Sequence, residues 1–155
     1  MKREHKTKAW IGAAVVALIV AFIWGNSLLP QTQSRQESDF VLRILQSIFR
    51  LDIDRETASH LVRKAAHFTE YALLGVSAAA LFLSRRRGVQ SAVNAMSLCL
   101  AVAVLDESIQ LLSQRGSQVQ DVLLDFSGAA AGLLIFLALS GLFRIFRRRK
   151  AASPR

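Results

Sequence analysis

Cysteine is nearly missing from this chain. Cys99 stands alone among 155 residues, so no disulfide can form within the chain and cysteine usage carries no message about redox compartment. In the middle of an apolar stretch, Cys99 is expected to pack as a small apolar side chain. Charge is also missing, over long distances. Trp10 to Leu29 has none; Ala65 to Leu83 holds only His67 and Glu70, Ser91 to Leu112 only Asp106 and Glu107, and Val122 to Phe143 only Asp125. No P-loop, nucleophile elbow, His-Glu-x-x-His or zinc-ligand spacing occurs, which excludes the familiar soluble catalytic classes. Internal repeats and low-complexity segments are absent too.

What is present is apolar residues in blocks. A soluble domain would spread them at helical or strand periods. Each block here reaches the roughly 20 residues of helix that a hydrocarbon core requires. The expectation is an all-α integral membrane four-helix bundle, with spans about 10–29, 65–83, 91–112 and 122–143. One domain, 10–143, then lies between basic tails at 1–9 and 144–155. The first run follows a basic leader, as in a signal peptide. It is longer than a typical signal core and no Ala-x-Ala site follows Gly25, so it reads as an uncleaved span that Pro30 ends.

The net charge is +9, but its distribution argues against nucleic acid. Lys and Arg gather in the tails and one short loop, without aromatic interleaving or a nucleic-acid fold signature. Basic residues flanking apolar spans are instead a topology signal. The two tails and the 84–90 loop carry thirteen Lys and Arg, against seven in the other two loops, which places both termini in the cytoplasm.

That topology gives the ionisable residues an address. Ser27 ends the first span, His67 and Glu70 open the second, Asp106, Glu107 and Gln110 close the third, and Asp121 and Asp125 open the fourth. All are expected near the extracytoplasmic surface. Ionisable groups at a helix centre cost roughly 2.5–3.5 kcal/mol each on insertion scales, so such a set is a functional-site hypothesis by default. At 100° per residue, His60, Arg63, Lys64, His67, Glu70, Tyr71 and Leu74 share one stripe of the second helix. Leu61, Val62, Ala65, Ala66, Phe68, Ala72 and Leu73 fall on the face left for lipid. In the long first loop, Phe40, Val41, Ile44, Leu45, Ile48 and Phe49 recur at helical spacing, with Arg43, Gln46 and Arg50 between them. They predict an amphipathic helix on the extracytoplasmic membrane surface, or equally a cap over the bundle.

Imidazole and carboxylate three residues apart, His67 and Glu70, face one way, as proton transfer or metal ligation requires. The same pair could instead stabilise the start of a helix. Adjacent Asp106 and Glu107 repel unless a cation, a shared proton or a basic side chain intervenes. Arg63, Lys64 and Arg115 are candidates to intervene, which would make the set a salt-bridged plug. Asp121 is expected to cap the fourth helix, and Asp125, one turn deeper, needs a partner. Gly128 and Gly132 form a small-residue packing face.

Arg63-Lys64-x-x-His67-Phe68-x-Glu70-Tyr71-x-x-Leu74-Gly75 resembles the hallmark segment of the VanZ-like family, the teicoplanin-resistance protein family of membrane proteins. So does Asp106-Glu107-x-x-Gln110 followed by Arg115, Asp121-Val122 and Gly128-Ala129 with Gly132. Trp24-x-x-Ser27 is similar as well, and the resemblance covers about residues 15–140. The chain departs from the pattern at Asp125, where the family often has Asn, and after Gln110, where a Phe and a Pro are lacking. The resemblance implies a small bundle of the bacterial cytoplasmic membrane. The founding member is associated with low-level teicoplanin resistance. No reaction comes with the family name.

Three functions stay open. The first is binding or modulation of an envelope component, a lipid-linked precursor or a glycopeptide, among membrane lipids. Its site would draw on Ser27, Arg63, Lys64, His67, Glu70, Tyr71, Asp106, Glu107, Gln110, Arg115, Asp121 and Asp125. The second is a hydrolase or transferase acting on a lipid-linked substrate. His67 is then base or metal ligand, Glu70, Glu107 and Asp121 are ligands or acid partners, and Arg115 anchors an anion. A divalent cation would suit these donors, Mg²⁺ or Ca²⁺ through oxygen and Mn²⁺ or Zn²⁺ through the imidazole. The third is a proton- or cation-coupled transporter. Against it, Ala13–Phe22, Val76–Phe82, Met96–Val104 and Leu133–Leu139 are free of charge.

Overall fold

The structure, a computed structural model, describes residues 2–29, 41–43, 54–84, 88–112 and 118–152. Four long helices account for nearly all of them: α1 (Lys2–Leu28), α2 (Arg55–Leu83), α3 (Val89–Leu112) and α4 (Val119–Ala152). No strand occurs among the described residues. Each helix carries a stretch long and apolar enough to cross a bilayer, namely Ala9–Leu28, Glu56–Leu83, Val89–Leu112 and Val119–Lys150. The all-α membrane bundle expected from the apolar blocks is what the chain forms.

The helices outrun those blocks, for local reasons. α2 starts at Arg55, nearly three turns before Ala65. Asp54 caps it, accepting from the Thr57 backbone N–H at 3.1 Å and the Thr57 hydroxyl at 3.2 Å. Glu56 in the first turn complements the positive end of the helix dipole. At the other extreme, α4 has 34 residues. At 1.5 Å per residue that is about 50 Å, well beyond the roughly 30 Å of a hydrocarbon core. Its surplus is the Arg-rich end, where the Arg147 guanidinium lies 6.0 Å from the centre of the Phe143 ring. Most of both basic terminal segments is therefore helical.

α2 and α3 form the central pair, with α1 packed on one side of them and α4 on the other. The core runs through Val16 and Ile23 of α1, Tyr71, Leu74 and Ala78 of α2, Ala95, Cys99 and Ala103 of α3, and Ala129 of α4. Cys99 is a buried free thiol packed among apolar neighbours. Trp10, Leu18, Phe22, Leu134, Leu139 and Phe143 are each more than half exposed. Such a belt on a bundle of this kind faces lipid.

α2 and α4 approach through glycine. A Cβ on Gly132 would run into the carbonyl of Ala72, one on Gly128 into the carbonyl of Phe68, and one on Gly75 into the carbonyl of Ala129. The small-residue face expected at Gly128 and Gly132 thus abuts α2 backbone. This narrows the lipid face expected of α2. Leu61, Phe68 and Leu73 do keep exposed side chains, but the backbone at Phe68 and Ala72 lies under α4. Of the amphipathic helix expected in the first loop, residues 41–43 are described and helical, with Leu42 buried. The rest of it lies outside the described residues.

Candidate functional site

The end of α1, the start of α2, the end of α3 and the start of α4 meet at one end of the bundle, and there the polar side chains are buried. Ser27, Asp106, Glu107, Gln110 and Asp125 are all buried, Asp106 fully and Asp125 to 1% exposure. Burying such groups without partners would cost several kcal/mol, so their contacts define the site.

α1 reaches the site through Asn26 and Ser27. Asn26 Nδ2 donates to Glu70 Oε1 at 3.0 Å, and Ser27 Oγ accepts from Gln110 Nε2 at 3.4 Å. The same Gln110 amide donates to Asp106 Oδ2 at 3.1 Å, one turn back along α3. Higher in the bundle the Trp24 indole N–H reaches the Val102 carbonyl at 3.5 Å. Glu70 and Gln110 are thereby tied to α1, and Asp106 shares the Gln110 amide with Ser27.

Glu107 does something different. Its Oε1 accepts from the backbone N–H of Gln118 at 2.7 Å, at the first residue before α4. That N–H is one of the unpaired donors every helix start leaves, and a carboxylate there also meets the positive end of the dipole. Glu107 of α3 therefore takes the capping role expected of Asp121. Asp121 lies in the first turn of α4, and its carboxylate turns to Lys64 Nζ at 3.4 Å. Arg63 lies against His60, Nη2 to Nδ1 at 3.1 Å. Arg115 lies outside the described residues.

Deeper in, three helices converge. His67 of α2, Asp106 of α3 and Asp125 of α4 each offer a ligand-type atom, and these atoms lie within 4.8 Å of one another. Tyr71 lies fully buried one turn from His67 on the same helix. Buried atoms here without a hydrogen-bond partner among the described residues include Glu70 Oε2, Tyr71 Oη, Glu107 Oε2 and Asp125 Oδ1. Three are carboxylate oxygens, which accept, and the fourth is a phenol, which can donate or accept.

The residues singled out from the sequence are thus sorted by geometry. Ser27, His67, Glu70, Tyr71, Asp106, Glu107, Gln110 and Asp125 come together in the buried end. Lys64 and Asp121 form a half-exposed pair at its rim, and Arg63 stays with His60. Within the set, Asp106 and Asp125 stand closest to His67 as possible metal ligands, whereas Glu70, Glu107 and Asp121 are each engaged with Asn26, Gln118 or Lys64. Asn26 escaped the sequence reading. Its signal was there, an amide beside Ser27 at the close of a charge-free run.

Against known proteins, the profile of the VanZ/LLP1 family matches residues 12–144, which takes in all four helices and the whole polar end. No curated protein and no solved structure matches the chain.

Proposed function

The chain belongs to the VanZ/LLP1 family of membrane proteins, and from that premise we propose that its buried polar end binds the headgroup of a lipid-linked cell-envelope component. One observation carries this reading. Polar side chains from all four helices, Ser27 and Asn26, His67 and Glu70, Asp106 and Gln110, and Asp125, converge at one end of a bundle that is otherwise apolar. Groups of this cost are kept inside membrane helices where a ligand or pathway uses them. The acceptor-rich lining suits hydroxyl and ammonium donors, as on a sugar-bearing headgroup. The distribution of Lys and Arg supports a multi-pass protein of the bacterial cytoplasmic membrane with both termini inside, so that the site opens toward the envelope. Low-level resistance to a glycopeptide such as teicoplanin is the outcome expected if the bound component is a cell-wall precursor.

The test is the lipid that the protein carries. Purified in mild detergent and analysed by mass spectrometry, the wild-type chain should retain a defined envelope lipid that His67→Ala and Glu107→Ala lose. Identical bound lipids in all three would remove the support for this reading.

A further inference from the structure

We propose that His67, Asp106 and Asp125 bind a divalent cation, through one imidazole nitrogen and two carboxylate oxygens. The three residues come from three different helices, α2, α3 and α4, so no local helical spacing forces them together. Their ligand-type atoms nevertheless lie within 4.8 Å of one another. Donors that bond one cation at about 2.1–2.5 Å stand at most about 4–5 Å apart, so this separation fits a shared ion.

A second observation points the same way. Asp125 is 1% exposed, and its Oδ1 has no hydrogen-bond partner among the described residues. Asp106 and Asp125 are both buried and belong to one cluster with His67, and two carboxylates that close are stabilised by a cation they share. The nearby ammonium of Lys64 is directed to Asp121. The Gln110 amide, donating to Asp106 Oδ2 at 3.1 Å, holds that carboxylate in orientation as outer hydrogen bonds do around metal ligands.

The donor set selects the ion. Two carboxylates and one imidazole suit Mn²⁺ or Zn²⁺ better than a thiolate-seeking metal, and Cys99 packs in the apolar core instead. Three protein ligands leave positions open, as in sites that receive water or an anionic group from outside. An open position would let this acidic pocket accept a phosphate that its carboxylates would otherwise repel. The cation site does not rest on the headgroup reading, and the two fail separately.

The experiment uses the full chain in detergent, stripped with EDTA and titrated with MnCl₂, followed by calorimetry and electron paramagnetic resonance. The expected result is one Mn²⁺ per chain, displaceable by Zn²⁺, with a nitrogen hyperfine coupling from His67. Asp106→Asn and Asp125→Asn should each weaken binding about tenfold or more. Glu56→Gln, which removes an exposed carboxylate from the first turn of α2, should bind as wild type. Absence of stoichiometric Mn²⁺ and Zn²⁺ binding by the folded wild-type chain overturns the proposal, and means that the cluster is held by protons instead. Wild-type affinity in folded Asp106→Asn and Asp125→Asn overturns it as well. If those variants do not fold, the wild-type spectrum decides: a nitrogen coupling lost in His67→Ala supports the site, and a bound Mn²⁺ without one overturns it. A wild-type chain that binds neither cation yet retains its defined lipid would sink this inference and leave the headgroup reading standing.

Discussion

Glu107 of α3 closes the start of α4 by accepting the Gln118 N–H at 2.7 Å, so one helix of the central pair caps the next across the connection between them. Such a bond, from a backbone N–H to a carboxylate and part-buried, contributes about 1.5–3 kcal/mol. Glu107→Ala should therefore lower stability by roughly 1–3 kcal/mol, with α4 fraying from its start. Glu107→Gln keeps an acceptor oxygen and should recover about half of that loss. Denaturant titration of both variants in detergent reads the difference. Equal stability of Glu107→Ala and wild type would mean that α4 does not depend on this cap.

The glycine contact between α2 and α4 makes a sharper claim, because the obstacle is backbone. A methyl group on Gly132 would meet the Ala72 carbonyl, and the neighbouring helix can yield only by moving as a whole. Gly132→Ala should destabilise by about 1–3 kcal/mol, the usual range for overpacking. Gly25→Ala and Gly141→Ala meet nothing within 4 Å and should stay within about 0.5 kcal/mol of wild type. Thermal unfolding of the three variants in one detergent separates a packing contact from a general intolerance of glycine replacement.

The sequence made the bundle legible and left its pairings hidden, for a physical reason. Uninterrupted apolar blocks announce spans because the bilayer sets their length. The stripe of His67, Glu70, Tyr71 and Leu74 was visible because 3.6 residues per turn fixes which side chains share a face. Which carboxylate meets which partner depends on helix rotation and depth, which no single-helix periodicity encodes. So Glu107 to Gln118, Asn26 to Glu70 and Asp121 to Lys64 emerge only in three dimensions. The approach of α4 to the backbone at Phe68 and Ala72 is hidden for a related reason. Glycine on α4 draws α2 in by its backbone, and side-chain polarity on α2 carries no trace of that.

The Lys64–Asp121 pair at the rim should contribute little. Its side chains are 35% and 29% exposed and stand 3.4 Å apart. Pairs with that access to solvent contribute about 0–1 kcal/mol, less in salt. A double-mutant cycle with Lys64→Met and Asp121→Asn should give a coupling below about 1 kcal/mol that shrinks at high ionic strength. A coupling several times larger would place the pair in a drier setting than its exposure indicates.

The side of the membrane on which the polar end opens is open to direct labelling. Gln120 is exposed in the first turn of α4, next to the buried set, and Lys150 is exposed near the opposite end of the same helix. With Cys99→Ser as background, Gln120→Cys should react with a membrane-impermeant maleimide added to intact cells, and Lys150→Cys only after the cells are opened. The reverse pattern would turn the site toward the cytoplasm and remove the reason to seek its ligand in the envelope.

Asn26 offers the most discriminating substitution at the site, because charge and size can be separated there. Its Nδ2 donates to Glu70 Oε1 at 3.0 Å, and that bond ties α1 to the carboxylate beside the His67 cluster. Asn26→Ala removes the donor and should destabilise by about 1–3 kcal/mol, since a half-buried carboxylate oxygen loses its partner. Asn26→Asp changes almost no volume, yet sets two carboxylates about 3 Å apart, where like charges repel in a poorly screened setting. If the site works as an electrostatic unit, Asn26→Asp is the more damaging of the two and its defect eases as pH falls and a proton can be shared. If Asn26 only fills space, Asn26→Asp should match wild type and Asn26→Ala should carry the whole loss. Stability of the two variants measured between pH 5 and pH 8 distinguishes these outcomes. The pH dependence is the decisive reading, because packing alone does not supply one.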